Sequence, residues 1–375
     1  MTQAFLDQIS MTPPLIADAL GGYRDAVRLV LSTPEIYAIR RVVIFGSGDS
    51  HIAGLAAQSF FEAVTGLDVL VQTALEVSRH TAVAKSDAWI RSTLFIAISN
   101  SGEAARVVEA ARRLKSRSGK VMALTAAPEG RLAGSSALHL LTPAMQLPRS
   151  PGYATFLAVV LMLQMLALRF GEVRMHVTMD EAQALRRRME DCVAALPAIT
   201  SALAEPTRQA AQAVSGKRAF ELLGTGPGLA MAAFGAAKLV EAAGVHASAV
   251  DLEEWAHLNY FVADPADTVT VLVLPAGGAA RDRAAEIARY ATTLGRPLIT
   301  IGQALPHVAG TMLEILSDDP ESLSPLRLAT PLALFAAELS HAIGAEHGRG
   351  NAGPWADSRG AATVQASTIS EDLTP

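Results

Sequence analysis

The 375-residue chain has a single cysteine, Cys192, which excludes an internal disulfide and any multi-cysteine metal site and suits a reducing compartment. Charged residues make up only 18% of the chain and the net charge is -5. The one dense basic run, Arg186 to Arg188, reads as a solvated helix face, so nucleic acid is not expected as a main partner. No apolar run reaches the roughly 20 residues that a membrane span needs. The longest, ATFLAVVLMLQMLAL at 154–168, contains Gln164 and predicts a buried helix instead. The opening MTQAFLDQISMTPP lacks both a basic n-region and an apolar h-region, so no secretory signal is expected. These absences predict a cytoplasmic protein without a membrane partner.

Half of the residues are hydrophobic, enough to bury a sizeable core, and the length suggests two or three domains. The segment VVIFGSGDSHIAG at 42–54 has the layout of a buried parallel strand, a tight loop and a helix. Such a loop sits at a strand's carboxyl end and a helix's amino end, where α/β sheets bind ligands and free N–H groups favour an anion. A dinucleotide fits less well: GSGDSH lacks the third glycine of the fingerprint, and no clear acidic residue closes a second strand about 20 residues on. No cofactor is expected.

The chain repeats itself. FELLGTGPGLAMAAFGAAKLVEAAG at 220–244 has the same layout, with Gly46 and Gly224 178 positions apart. TLFIAISNSGEAARVVEAARRL at 93–114 is answered by TVTVLVLPAGGAARDRAAEIARY at 268–290, with Gly102 and Gly278 176 positions apart, and GKVMALTA at 119 by GRPLITIG at 295, again 176 apart. Three β-loop-α units in the same order predict two copies of one α/β domain, each a parallel sheet flanked by helices. The expected domains are 36–175 and 216–345, with a helical N-terminal extension over 1–35, a helical connector over 176–215 and an irregular tail over 346–375.

The copies differ where chemistry is expected. The first has ISNSGE at 98–103 where the second has VLPAGGA at 273–279. Ser99, Asn100, Ser101 and Gly102, with Ser47, Gly48 and Ser50, predict hydroxyl and backbone donors converging on one anion, unless the serines merely cap helices. The second copy has Lys238 and Glu241 one turn apart among small apolar residues, then DLEEWAHLNYF with Glu254 and His257. A carboxylate in apolar surroundings has its pKa raised by desolvation and lowered by a nearby ammonium, which makes a tunable base. The bland alternatives are a surface ion pair for Lys238 and Glu241 and a packed structural histidine for His257. No metal is expected, because His257 lacks a second well-spaced ligand.

The pattern GSGDS, AISNSGE, then GTGPG with KLVE and EWAH resembles the tandem sugar isomerase (SIS) domain family over about residues 36–345. It is similar to the isomerase half of glucosamine-6-phosphate synthase and to stand-alone phosphosugar isomerases, deaminases and fructosamine-phosphate deglycases. The resemblance implies two flavodoxin-like SIS domains and a homodimer with active sites shared between subunits. It assigns substrate anion binding to Gly48, Ser50, Ser99, Asn100 and Ser101, proton transfer to Glu241 with Lys238 beside it, and ring opening to His257 at the end of Glu254-Trp-Ala-His257. The implied reaction opens an anionic sugar ring and moves a proton between C1 and C2, as plain isomerisation or with loss of an amine. A sensor without catalysis is the rival reading.

Departures from the family pattern fall at Ala104, where a threonine is usual, and at Asp49. Arg149-Ser-Pro-Gly-Tyr-Ala-Thr stands where the family has E-x-x-V-A-S-T-K. In place of the synthase's C-terminal lysine the nearest cation is Arg359. Asp49, His51, Arg149, Tyr153 and Arg359 are therefore the residues expected to select the substrate, with a sulfonate or carboxylate able to replace the phosphate. No glutaminase half precedes the SIS pattern, so ammonia from glutamine is not expected.

Overall fold

The structure is a computed structural model that describes residues 2–143, 145–345, 352–357 and 362–370. Helix α1 (Thr2–Leu29) leads to strand β1 (Arg41–Gly46), helix α2 (Asp49–Thr65), strands β2 (Asp68–Thr73) and β3 (Thr93–Ile98), helix α3 (Ala105–Ser116), and strands β4 (Lys120–Thr125) and β5 (Leu138–Leu141). Every pairing is parallel, in the order β2-β1-β3-β4-β5. Helices α4 (Ala154–Val173) and α5 (Met179–Val214) follow. Then come β6 (Ala219–Gly224), α6 (Pro227–Ala243), β7 (His246–Asp251), α7 (Leu252–His257), β8 (Thr268–Leu274), α8 (Arg281–Thr293), β9 (Leu298–Gly302), β10 (Thr311–Glu314) and α9 (Pro325–Ala342). The second sheet is also parallel, ordered β7-β6-β8-β9-β10, so both sheets have the 2-1-3-4-5 order of flavodoxin-like folds. The expected fold, two parallel sheets flanked by helices, is borne out.

The sheets form because their strands are apolar on both faces. In β1, Val43 and Phe45 pack with Val107, Val108 and Ala111 of α3, while Ile44 on the opposite face lies under Gly54 of α2. Each such fully buried side chain contributes about 1.5–3 kcal/mol of transfer free energy. The loops that open α2 and α6 share one backbone: Gly48 has φ 56 and ψ -131, and Gly226 has φ 51 and ψ -129. Side chains rarely adopt that conformation, which is why both loops read Gly-x-Gly.

The chain divides into two compact units that differ from the contiguous limits expected. One comprises residues 18–146, 158–186 and 348–375 around the first sheet; the other comprises 1–17, 147–157 and 187–347 around the second. Long helices cause the difference. At 1.5 Å per residue α1 runs roughly 42 Å, longer than one layer of a small domain, and its two ends belong to different units. The 154–168 run is indeed helical, within α4, which is long and apolar enough to cross a membrane but has 89% of that window buried in the protein. The tail is less irregular than expected: 353–357 and 362–366 are short helices, and Ile369 packs on the core of the first sheet.

Candidate functional site

In the first unit the strand order reverses between β1 and β3, and the two hydroxyl-rich loops leave the sheet there. Phe45 pairs with Ala97, so residues 46–51 and 99–103 emerge side by side from neighbouring strands about 4.8 Å apart. The second loop is fastened from behind by β4. The Ser99 amide donates to the Leu124 carbonyl at 3.1 Å, the Asn100 carbonyl accepts from the Ala126 amide at 3.1 Å, and the Gly102 amide closes a turn on the Ser99 carbonyl at 3.0 Å. With the backbone tied inward, Asn100 and Ser101 face solvent, as do Ser47 and Gly48 on the first loop, while Ser99 is buried.

The serines are not the N-cap residues of these helices. Helix α2 has Gly48 as its N-cap and α3 has Ala104, and neither helix has a side-chain cap bond. Ser50 lies inside the first turn of α2, and Ser101 accepts only from its near neighbour, the Glu103 amide, at 3.3 Å. Hydroxyls placed beside helix amino ends without capping them suit an anion ligand. Gly102 is required by its turn: φ is 67, and a Cβ there would meet Ala127 Cβ and Thr125 Oγ1 at 3.3 Å. Glu103, absent from the expected set, clamps Arg131 through Nε–Oε2 at 2.6 Å and accepts the Arg131 amide at 2.9 Å. That amide and the guanidinium hold the Glu103 carboxyl below its usual range.

The expected substrate-selecting residues separate. Asp49 and His51 lie half-buried in the first turn of α2. Burial lowers the His51 pKa and so favours the neutral ring. Arg149 is exposed and belongs to the other unit, as does Tyr153. The structure corrects the expectation for Tyr153. Its ring has no exposed surface, its hydroxyl shares a 2.7 Å hydrogen bond with Thr330 Oγ1, and its amide donates to Gln8 Oε1 at 2.9 Å. Burial pushes its phenol pKa up, and its role is packing. Arg359 lies outside the described residues.

In the second unit Lys238 and Glu241 meet on α6 at 2.6 Å between Nζ and Oε2. This is not the bland surface pair: the lysine side chain is fully buried, its ammonium 5.4 Å from the Phe234 ring centroid. The glutamate runs against expectation, however. Its side chain is 44% exposed, so the apolar helix face that was expected to desolvate it covers the lysine instead. The small residues of α6 let other elements pack closely around position 238, while Glu241, three residues later, lies at the helix's exposed edge beside Val240.

Helix α7 presents Glu254 and His257 to solvent. His257 is no packed structural histidine: its ring is 66% exposed, with Nε2 3.3 Å from Glu253 Oε1. Glu253 is itself held by Arg283 at 2.7 Å, and that bond keeps its carboxyl below the usual range. Between the two exposed residues Trp255 points inward to a buried acid on β6, Glu221, which also meets Arg296 and Asn259. Sequence reading missed this network. Its one visible signal was a lone glutamate in the apolar strand AFELLG.

Comparison with known proteins agrees with the motifs. Residues 35–169 match the model of the SIS domain family, in agreement with the resemblance drawn from the motifs. The glutamine–fructose-6-phosphate aminotransferase [isomerizing] of Mycobacterium tuberculosis H37Rv is 29% identical over 352 residues, covering 90% of this chain and 55% of that protein. The chain thus spans about half the length of the curated relatives it matches. Among solved structures, the C-terminal domain of glucosamine-fructose-6-phosphate aminotransferase from Francisella tularensis superposes with a TM-score of 0.79 at 20% identity, over 92% of this chain and 97% of that one. Glucosamine-6-phosphate deaminase from Thermotoga maritima gives 0.67 at 17% identity, over 92% and 95%.

Proposed function

We propose that this chain, which matches the SIS domain family over residues 35–169, is an enzyme that isomerises an anionic sugar or amino sugar, with or without release of the amine. The observation that carries the reading is the division of labour: serine loops at the switch point of one sheet, and the Lys238–Glu241 pair with exposed Glu254 and His257 in the other unit. The relatives' names support it, since they describe proteins acting on fructose 6-phosphate and glucosamine 6-phosphate.

In this reading Ser47, Gly48, Ser50 and Ser99 to Gly102 bind the substrate's anionic group through hydroxyls and backbone amides. His257, supported by Glu254, protonates the ring oxygen and opens the ring. Glu241 then takes the proton from C2 of the open aldose and returns it to C1 through an enediol, or through an enolamine where C2 carries nitrogen. Lys238, with Nζ 2.6 Å from Oε2, holds the Glu241 carboxyl in place for that transfer.

The reading includes a homodimer in which His257 serves the partner's site. In support, Leu258 and Phe261 next to it are 67% and 76% exposed, an apolar surface that a second copy would cover. Mixing Glu241→Gln with His257→Ala then restores about a quarter of wild-type activity, because half of the mixed dimers' sites carry no substitution. No restoration rejects the shared site.

The activity itself is tested with aldose and ketose 6-phosphates, their amino and sulfonate analogues and fructosamine phosphates in heavy water, following deuterium uptake at C1 or C2 and ammonia release. Uptake into at least one compound supports the enzyme. Binding without uptake across the panel supports a sensor instead.

A further inference from the structure

Helix α7 carries Glu254 and His257 yet has only six residues, too few to hold a helix by itself in water. Its placement comes from the buried network beneath it. The Trp255 indole N–H donates to Glu221 Oε2 at 2.9 Å, and Arg296 Nη1 donates to the same oxygen at 2.5 Å. Glu221 Oε1 accepts from Asn259 Nδ2 at 2.8 Å, and Arg296 Nη2 donates to the Asn259 carbonyl at 2.6 Å. The guanidinium lies 5.1 Å from the Trp255 ring centroid. Strand β6, the turn before β9 and both sides of His257 are thereby joined through Glu221 and Arg296, which are 6% and 3% exposed.

Stability alone gives little reason for such a pair. Burying both charges forfeits their hydration, and apolar replacements of buried ion pairs are often equally or more stable. What directed bonds add is geometry. With consecutive helical residues about 100° apart, fixing Trp255 inward turns Glu254 and His257 roughly 100° and 200° away from it, toward solvent. The neighbouring 3-10 turn, residues 259–261, is tied to the same carboxylate through Asn259, so α7 is held at both of its freedoms, rotation and tilt.

We propose that Glu221 and Arg296 are positioning residues for His257 and Glu254, acting through Trp255 and Asn259. The proposal rests on the reading of His257 as the ring-opening group, and its test separates the two. Trp255→Phe keeps an aromatic side chain and deletes the N–H donor together with the five-membered ring; Glu221→Gln removes the charge; Arg296→Lys keeps a cation.

The first readout is the imidazole resonance of His257 in the full-length chain labelled at histidine, assigned by its loss in His257→Ala. Trp255→Phe and Glu221→Gln are expected to shift or split that resonance while those of His51 and His139, in the other unit, stay in place. The second readout is kcat and KM on the sugar phosphate that wild type turns over. Glu221→Gln is expected to lower kcat about 10- to 100-fold with KM within about threefold and to cost nothing further in the His257→Ala background, while Arg296→Lys is expected to retain more of kcat than Arg296→Met. An unmoved His257 resonance in both variants, or losses that multiply with His257→Ala, overturns the proposal. If wild type exchanges no sugar proton, the enzymatic reading fails by itself, and the resonance still decides whether the network positions His257.

Discussion

Lys238 Nζ lies 2.6 Å from Glu241 Oε2, and only the acid of this pair reaches solvent: the lysine side chain is fully buried and the glutamate 44% exposed. In the proposed mechanism the buried cation supports the exposed carboxylate that acts as the base. Lys238→Met keeps the volume and removes a fully buried charge, so melting temperature is expected to hold or rise while turnover falls tenfold or more. A stability loss above about 2 kcal/mol in a denaturant titration would instead make Lys238 a structural residue.

Both hydroxyl-rich loops need glycine for their backbone, and they differ in the room a side chain would have. Gly102 has φ 67 and close neighbours, whereas Gly48 has φ 56 and open space around its Cβ position. Gly102→Ala is expected to cost about 2–3 kcal/mol and Gly48→Ala about 1 kcal/mol in urea unfolding. Equal costs would mean that the Gly102 turn yields to a side chain.

Tyr153 now has a packing role. Tyr153→Phe leaves the Thr330 hydroxyl without its 2.7 Å partner and is expected to cost about 1–2 kcal/mol of stability. The ratio of kcat/KM between any two sugar substrates should stay the same. A changed ratio would return Tyr153 to the substrate-selecting set.

Glu35 supplies a pH-dependent contribution. Its bond to Lys120 at 2.8 Å, with the Ser32 amide and hydroxyl, lowers its pKa to about 2. Because the folded value lies below the unfolded one, near ~4.3, this stabilisation is present above the unfolded value and is lost as pH falls toward 2. The side chains are 30% and 41% exposed, so salt screens the effect. The difference in melting temperature between wild type and Glu35→Gln should shrink between pH 5 and pH 2. A difference independent of pH would remove the ion pair from the account.

Much of the fold was legible because it rests on short-range pattern. Val42 to Phe45 announce a buried strand, Gly48 and Gly226 announce the turns that follow, and the recurrence of such units announces a second sheet. The unit limits were not legible, since α1 and α5 look the same in sequence whichever unit their ends join. At the site, Ser99 to Gly102 carry their signal in the loop itself. The exposure of Glu241 and the burial of Tyr153 were not legible, because burial depends on which surfaces other elements cover. The Glu221–Arg296 pair joins residues 75 positions apart, and no local pattern links them.

In the proposed function, Glu241 moves a proton on a ligand gripped by its anionic end. The most direct measurement compares wild type and Glu241→Gln for deuterium uptake at C1 or C2 and, by calorimetry, for affinity toward the same sugar phosphate. Glu241→Gln is expected to lose at least about 10³-fold in uptake with Kd within about threefold. Uptake near the wild-type rate at unchanged affinity would contradict it.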